Sequence, residues 1–532
     1  MYRTRFQNPA TATCVLLFAT LFLAGSYFRQ VVEYDNSSSR FYLLSAIVDH
    51  GTFSIDADHH QTIDKSFHDG HYYSNKAFGS SFVAVPIYWV LRHLPLTRGE
   101  AALTVPQRQM VSMATSAVCF AGLGVLLYLL GTQLGGDARA ALLMAFAFSF
   151  GSIAWVHATM FSGHIMAAAF SFLAFALLWW LRRQGMDSSQ GADRRRLHLL
   201  LALTAGLAAG VGALCDYTAM FIALVLAVYA LTSRLGLIHK ASFALGGALC
   251  VSQLLLYNWM NFGAPFSLSY GHMARAEFAE GASQGLLGVG LPSLSVLLQL
   301  LISPSRGLLF IMPVFLFALA GLVTLWRERP DLRAEWWVIT TISLGYLLIN
   351  AGFYGWHGGW AHGPRYLVPM FPFLALPMVF ASLRGWPFRL ALAASVLQVV
   401  PGVAAFAYTP QNIVNPLRDM VLPLMRHGYL AENGLYWLGA SKALGAMVGL
   451  ATLALLAVLT WRTLRDSPWQ TARPTSRILT TVVALSLLSI TVAAVTLKTE
   501  RDLRLRVMSR LAYDAELPLP YKDAQDFLEN AP

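Results

Sequence analysis

The sequence predicts an all-helical protein that crosses a membrane many times. Of its 532 residues, 56% are hydrophobic and only 12% are charged, whereas soluble globular chains carry about 25% charged residues. Apolar stretches long enough to cross a hydrocarbon core of about 30 Å recur between Thr11 and Leu497. Lys and Arg gather in short loops, as they do on the cytoplasmic side of membrane proteins. A water-soluble fold is therefore excluded.

The lengths of the apolar stretches predict about thirteen transmembrane helices. The first stretch follows Arg3 and Arg5, as in a signal peptide, but no small-residue cleavage site precedes Arg29, so we interpret it as the first span. The predicted spans are 11–28, 107–130, 139–157, 162–181, 197–215, 217–232, 241–259, 306–326, 336–353, 366–383, 389–408, 440–461 and 478–497.

Basic clusters predict the orientation of these spans. The strongest cluster comprises two arginines at 182–183 and three at 194–196, and it should lie in the cytoplasm. This holds if Ser81–Leu94, which is short for a span and contains Pro86, lies along the outer surface. The N-terminus is then cytoplasmic and the C-terminus faces out, in a bacterial inner membrane. The formal charge of +11 is thus a signal of topology, and no nucleic-acid partner is predicted.

This topology predicts one transmembrane domain, residues 1–497, whose large polar segments all face out. These segments are the outer loops 29–106, 261–305, 354–365 and 409–439, and a short tail, 498–532. The inner connectors contain no GxGxxG or GxxxxGK[ST] phosphate loop. The four cysteines fall in or beside apolar spans without CxxC spacing, which favours packing roles. Chemistry is therefore expected at the outer face.

The first outer loop carries the most informative motif. It begins VVEYDNSSSR at 31–40, so that Glu33 and Asp35 stand just beyond the first span, and it continues with GTFSID at 51–56. It ends with YYSNKAFG at 72–79, before the segment predicted to lie along the surface. Two carboxylates therefore stand within a few residues of the predicted bilayer surface.

The loop 31–94 resembles the GT-C superfamily of polytopic glycosyltransferases that use lipid-phosphate sugars. That superfamily includes protein O-mannosyltransferases and the lipid A aminoarabinose transferase. The resemblance implies a GT-C-like membrane fold with interfacial helices in the first outer loop. It also implies that Asp35 activates the acceptor and that Lys76 holds the donor phosphate. The second outer loop usually supplies another acidic residue in this superfamily, but here 156–164 offers only histidines, including His164.

The chemistry of these residue types agrees with the resemblance. A carboxylate can take the proton of an acceptor hydroxyl as the new C–O bond forms, and direct displacement inverts the anomeric centre. Polyprenyl phosphate is a good leaving group that needs cations, and the outward candidates are Lys76, Arg306 and Arg365. Glu33 competes with Asp35 for the role of base. The alternatives are a helix-capping Asp35 and a snorkelling Lys76.

A glycine-rich loop, residues 354–366, is the second candidate site element. It contains four glycines, two tryptophans, two histidines and Arg365, which suit close backbone approach, sugar rings and a phosphate. The alternative is an aromatic belt at the membrane interface. The predicted substrate contacts over the whole chain are Arg40, Tyr73, His164, Trp356, His357, Trp360, His362 and Tyr366.

Two further interpretations stay open at this point. His357 and His362 could contribute to a weak divalent-metal site, but their spacing across a glycine-rich turn does not define one, and no cofactor is predicted with certainty. Asp216, between two closely joined spans, fits either an outer turn or a functional site.

The sequence thus predicts a hexosyl- or pentosyltransferase at the outer face of the membrane. Its donor would be a polyprenyl-phosphate sugar, and its acceptor a protein, a lipid or a surface polysaccharide. A lipid-linked glycan flippase or transporter is the first alternative, but the ionisable residues stand at the ends of the spans rather than at mid-bilayer. A glycan ligase or polymerase with a polyprenyl-diphosphate donor is the second alternative, and it shares the outward site.

Overall fold

A computed structural model describes residues 11–30, 34–93, 103–184, 192–411, 413–426 and 428–464. Glu33, the predicted span 478–497 and the tail 498–532 lie outside these residues. The helices α1 to α20 are, in order, Thr11–Tyr27, Asp35–His50, Gly79–His93, Val105–Ser112, Val118–Gly135, Ala138–Phe150, Ala154–Ala158, Gly163–Gln184, Ala192–Cys215, Met220–Thr232, Leu237–Phe262, Ala276–Ser283, Leu294–Ile302, Leu308–Ile311, Leu316–Glu328, Arg333–Gly352, Phe371–Ala375, Trp386–Ala404, Leu422–Arg426 and Lys442–Arg462. The strands β1 to β4 are Phe28–Arg29, Lys65–His68, His71–Ser74 and Glu432–Asn433.

The predicted class, an all-helical chain with many membrane crossings, is confirmed by these elements. Among the described residues, six helices are long and apolar enough to span a membrane: Val105–Gly135, Gly163–Gln184, Ala192–Cys215, Leu237–Phe262, Trp386–Ala404 and Lys442–Arg462. Four shorter apolar helices are Thr11–Tyr27, Ala138–Phe150, Tyr217–Thr232 and Arg365–Phe380. The predicted count of about thirteen spans stays a prediction.

Two of the predicted spans are broken by proline. In the span 366–383, Pro369, Pro372 and Pro377 each lack a backbone N–H, and the segment alternates between 3₁₀ and short α-helical turns. In the span 306–326, a break at Met312, just before Pro313, separates α14 from α15. Periodicity of apolar residues alone predicts the length of such segments but not their interruptions.

The first outer loop folds into two helices joined by a hairpin. Helix α2 begins at Asp35 and ends at Gly51, whose φ of 66° suits a glycine. Strands β2 and β3 pair in antiparallel register, and α3 follows. Asp49 of α2 accepts hydrogen bonds from the Tyr88 hydroxyl (2.9 Å) and from Arg92 Nε (2.8 Å), so α2 and α3 are joined directly.

Helix α2 is covered by protein along most of its length. All ten of its residues from Ser37 to Ala46 are buried, although their sequence predicts a helix that lies along the membrane interface. Helix α3 packs close to the C-terminal end of α9, where a Cβ on Gly79 would lie only 2.4 Å from the carbonyl carbon of Leu214. Packing against other helices therefore positions Asp35, the first residue of α2.

The C-terminal end of α1 contacts the C-terminal part of the described chain. Strand β1 pairs with β4, and Arg29 Nη1 lies 2.8 Å from Glu432 Oε2. The Tyr27 hydroxyl donates to the carbonyl of Gly445 at 2.7 Å. These contacts join residues more than four hundred positions apart, so the start of the first outer loop has a defined position relative to the later helices.

Candidate active site

Asp35 is held at the N-terminus of α2 by hydrogen bonds to one of its two carboxylate oxygens. Oδ1 accepts from the backbone N–H of Ile63 (2.9 Å) and from the Thr62 hydroxyl (3.1 Å), while Oδ2 has no recorded partner within the described ranges. Burial, and then the negative charge of Asp64, raise the pKa of Asp35 above its ordinary value, although Lys76 and the two hydrogen bonds act in the other direction. The carboxylate is therefore oriented and made a stronger base.

Lys76 forms an ion pair with Asp64, and its charge also acts on Asp35. Its Nζ is 2.8 Å from Asp64 Oδ1, and the two side chains are only 14% and 10% exposed. Asp64 is a site residue that sequence reasoning missed. No motif marks it, because its link to Lys76 depends on how the β2–β3 hairpin folds. The Ser39 hydroxyl fixes this hairpin to α2 by donating to the carbonyl of Asp64 at 2.6 Å.

Arg365, in the glycine-rich loop, interacts electrostatically with the cluster formed by Tyr34, Asp35, Asp64 and Lys76. Its charge acts on Tyr34 and is itself influenced by Asp64. Its Nη2 donates one long hydrogen bond, 3.4 Å, to the Tyr366 hydroxyl. Its Nε is buried and has no hydrogen-bond partner among the described residues. Gly358, with φ of 73°, lies against it, and a Cβ there would be 3.0 Å from Arg365 Cγ. No carboxylate of the described chain pairs with this guanidinium.

Arg306, the third predicted phosphate ligand, is engaged with backbone carbonyls. Nε donates to His357 (2.6 Å), Nη1 to Ser305 (2.9 Å), and Nη2 to Gly359 (2.8 Å) and Thr409 (3.1 Å). The residue is 1% exposed. Its guanidinium thus holds the glycine-rich loop in place, which favours a structural role over contact with a phosphate. Phosphate binding by Arg306 stays a prediction.

Tyr34 links the first outer loop to two later segments through aromatic stacking. Its ring lies 6.0 Å from that of Trp360 and 5.5 Å from that of Tyr408. Tyr34 directly precedes Asp35, so this stack places the candidate base beside the glycine-rich loop. Sequence reasoning selected Trp360 but missed both tyrosines. In the sequence, the one sign of a role for Tyr34 was its position between Glu33 and Asp35.

The two histidines of the glycine-rich loop have separate hydrogen-bond partners. His357 Nδ1 accepts from the backbone N–H of Gly359 (2.9 Å), and His362 Nε2 donates to the carbonyl of Gln398 (2.9 Å). Burial, together with the charges of Arg306 and Arg365, lowers the pKa of His357 to about 4. Burial also lowers the pKa of His362 to about 4. Within the described part of the chain, no three His, Cys, Asp or Glu side chains form a metal-binding group.

Arg40 and Tyr366 lie at the edge of the cluster. Arg40 is 3% exposed and donates to Ser80 Oγ (2.9 Å) and to the carbonyl and side chain of Asn36. The Tyr366 ring meets the edges of the His164 and Phe353 rings, each at 5.6 Å.

The ring contacts of Tyr73 and Trp356 are with residues outside the cluster. The Tyr73 ring packs against Phe262 at 5.3 Å, in a separate hydrophobic group. Trp356 is half-buried, with its ring 5.9 Å from that of His357. Substrate contact by either residue stays a prediction.

His164 pairs with Asp216, which sequence reasoning left between a surface turn and a functional site. His164 Nδ1 lies 2.5 Å from Asp216 Oδ2, and both side chains are nearly buried. The predicted second outer loop thus contributes a histidine, and its carboxylate partner follows the C-terminal end of α9.

No protein-family model and no curated protein sequence matches this chain. Among solved structures, it is similar to ArnT from Cupriavidus metallidurans bound to undecaprenyl phosphate, with a TM-score of 0.49, 15% identity, and coverage of 92% of this chain and 77% of that one. The apo state of the same protein gives a TM-score of 0.48 with 16% identity, over the same shares of the two chains. An apo oligosaccharyltransferase from Archaeoglobus fulgidus gives 0.37 with 13% identity, over 84% of this chain and 56% of that one.

At 13–16% identity these likenesses carry no conclusion about chemistry, which has to be sought in this protein's own side chains.

Proposed function

We propose that this protein is a glycosyltransferase that moves a hexose or pentose from a polyprenyl-phosphate donor to an acceptor hydroxyl at the outer face of a bacterial inner membrane. One observation carries the proposal. An oriented carboxylate, Asp35, shares one partly buried cluster with the cation Lys76 and, through Tyr34 and Asp64, with Arg365, whose guanidinium has no carboxylate partner in the described chain. A base and a cation without a carboxylate partner in one cluster suit attack at a carbon that carries a phosphate.

Asp35 acts as the general base in this proposal. The acceptor oxygen attacks the anomeric carbon of the donor while its proton passes to Asp35, and Oδ2 is the oxygen without a recorded partner. The bond between the anomeric carbon and the phosphate oxygen breaks, and polyprenyl phosphate leaves with the bonding electrons. Because displacement occurs in one step, the anomeric configuration inverts. A pKa above the ordinary value makes Asp35 a better proton acceptor.

Arg365 and Lys76 hold the donor phosphate. Arg365 has hydrogen-bonding capacity that the described chain does not use, and a guanidinium fork fits two phosphate oxygens. Lys76 is already paired with Asp64, so the phosphate would share this lysine with the carboxylate. The negative charge that develops on the leaving phosphate then lies near two cations in a poorly hydrated site, where such contacts are strong.

The direct test is transfer by the purified protein from synthetic polyprenyl-phosphate sugars to candidate acceptors. A panel of hexoses and pentoses, each with a defined anomeric configuration, would be offered to protein in lipid vesicles. Matching polyprenyl-diphosphate sugars would serve as a control for the donor. The proposal expects products only from the monophosphate series, with inverted configuration. Products of retained configuration would overturn the mechanism, and products from the diphosphate series alone would favour a ligase or polymerase.

A further inference from the structure

His164 and Asp216 form a buried pair where two helices meet. His164 is the second residue of α8, and Asp216 follows the last residue of α9. His164 Nδ1 and Asp216 Oδ2 are 2.5 Å apart, and the side chains are 7% and 9% exposed. The second oxygen of Asp216 accepts from the backbone N–H (3.1 Å) and hydroxyl (2.8 Å) of Thr218. Asp216 is therefore held through both of its oxygens.

This pairing determines which nitrogen of His164 carries the proton. An ionised carboxylate only accepts hydrogen bonds, so Nδ1 is the donor and, in the neutral ring, Nε2 is the acceptor. Nε2 is buried and has no hydrogen-bond partner within the described residues. Buried polar atoms are nearly always paired, and one that lacks a partner in the protein points to a ligand or an ordered water.

The surroundings of His164 connect it to the candidate active site. Its ring lies 5.6 Å from the rings of both Tyr366 and His157. His157 cannot be the missing partner through Nδ1, which is 3.0 Å from the Ser162 hydroxyl. The charges that act on His164 are those of Asp216, Arg365 and Arg40. The ring that carries the free acceptor thus lies near Tyr366, the residue that follows the arginine to which we assign the donor phosphate.

A glycine next to His164 permits this arrangement. A Cβ on Gly163 would lie 2.8 Å from Arg40 Nη2 and 2.5 Å from the carbonyl oxygen of Cys215. Any larger residue would push α8 away from α2 and α9. The close approach brings together three groups that are far apart in the chain: Arg40, His164 and Asp216.

We infer that His164 Nε2 accepts a hydrogen bond from a hydroxyl group on the sugar ring of the donor, and that Asp216 is the positioning residue that holds the proton of the neutral ring on Nδ1. The inference rests on the proposed function, because a sugar attached to a phosphate held by Arg365 would reach this neighbourhood. His164 would then determine specificity, favouring sugars with a hydroxyl at one ring position over their deoxy analogues.

Two substitutions separate this role from a structural one. The side-chain amide of asparagine occupies the place of Nδ1, so His164→Asn keeps a donor for Asp216 and removes the distal acceptor. The amide of glutamine reaches the place of Nε2, so His164→Gln keeps a distal acceptor and loses the bond to Asp216. If the role is substrate contact, His164→Gln should bind the donor better than His164→Asn. If it is only packing, the order should reverse.

The measurement is the affinity of each variant for polyprenyl-phosphate sugars, for their deoxy analogues and for polyprenyl phosphate without sugar. His164→Asn should weaken binding of the fully hydroxylated sugar by about 3–10-fold, the effect of one neutral hydrogen bond. It should leave binding of the sugar-free lipid unchanged. For one deoxy analogue, wild type and His164→Asn should bind equally well.

The matched control is His198, near the other end of α9, which is also buried with an unpartnered Nε2. His198→Asn should change none of these affinities. Equal binding of the hydroxylated sugar by wild type and His164→Asn would overturn the inference, as would a uniform loss for all three ligands. If wild type binds neither the lipid-linked sugars nor the sugar-free lipid, the proposed function itself fails, which is a distinguishable result.

Discussion

The turn at 303–307 and the loop at 354–366 each contain an arginine, buried in the first case and half-buried in the second, and the two residues differ in how their donors are used. Arg306 donates four hydrogen bonds to backbone carbonyls at 2.6–3.1 Å. Arg365 makes one long bond to its neighbour Tyr366, and its Nε has no partner in the described structure. A buried donor without a partner costs free energy, so it is retained most readily where a ligand supplies the partner. The count of partners, rather than residue type, is the reason we propose a structural role for Arg306 and phosphate binding for Arg365.

The largest effect is expected at Asp35, the candidate base in the cluster to which Arg365 belongs. Asp35→Asn keeps the shape of the side chain but removes the base, so turnover should fall by about 10²–10⁴-fold. Donor affinity should change by less than about 3-fold, because the phosphate ligands are untouched. Single-turnover transfer and equilibrium binding of the donor would measure both quantities.

Asp56→Asn is the control for Asp35, because Asp56 belongs to the same loop but is partly exposed and paired with His71. It should have little effect on turnover. If Asp35→Asn turns over at the wild-type rate, the base is another group, and Glu33 is the next candidate.

The second prediction tests the structural role of Arg306. Lysine cannot reproduce a fork that serves four bonds, so Arg306→Lys should leave buried carbonyls without donors and lower the free energy of unfolding by roughly 2–4 kcal/mol. Thermal unfolding in detergent or lipid would measure the change. Arg418→Lys, at an exposed arginine paired only with its neighbour Asp419, should be neutral. If Arg306→Lys left the stability unchanged and weakened donor binding, the structural role assigned to Arg306 would be wrong and Arg306 would be a phosphate ligand.

The third prediction applies the same substitution to Arg365. Arg365→Lys keeps the charge and loses the planar fork, so donor affinity should fall by about 10–150-fold, equivalent to roughly 1.5–3 kcal/mol. The free energy of unfolding should change by less than about 1 kcal/mol, since few bonds within the protein are lost. Donor titration and thermal unfolding of one protein preparation give both values. Normal donor binding by both Arg365→Lys and Lys76→Gln would place the phosphate elsewhere, with Arg306 next.

The smallest effect concerns pH. Asp35 must be ionised to accept a proton, so kcat/KM should rise with pH through the pKa of Asp35, which burial and the charge of Asp64 raise above the ordinary value. Asp64→Asn removes that negative charge and frees Lys76 to act on Asp35. Both changes lower the pKa of Asp35, so the acid limb of the profile should move to lower pH. If the acid limb of the kcat/KM profile stays in place or moves to higher pH, the titrating group is not Asp35.

Some features of the site were predictable because they depend on residues close together in the chain. The position of Asp35 follows from the end of an apolar run, and the glycine-rich loop is recognisable from its own composition. The hairpin that brings Asp64 to Lys76 was not predicted, although both residues belong to the first outer loop. Its short strands carry no strong apolar alternation, and the ion pair requires the two strands to pair in register.

Sequence by itself determined the helical, membrane-crossing character of the chain, since composition and the lengths of apolar runs reflect the solvent around each segment. It also placed the candidate chemistry in the first outer loop and in the loop 354–366. Only the tertiary structure decided that Arg306 donates to backbone carbonyls of other segments, whereas Arg365 donates to none in the described chain. It also decided that His164 pairs with Asp216. The physical reason is range. Hydrogen bonds and ion pairs act over about 3 Å in specific directions, and their partners here stand about 50 or more positions apart, where local patterns carry no information.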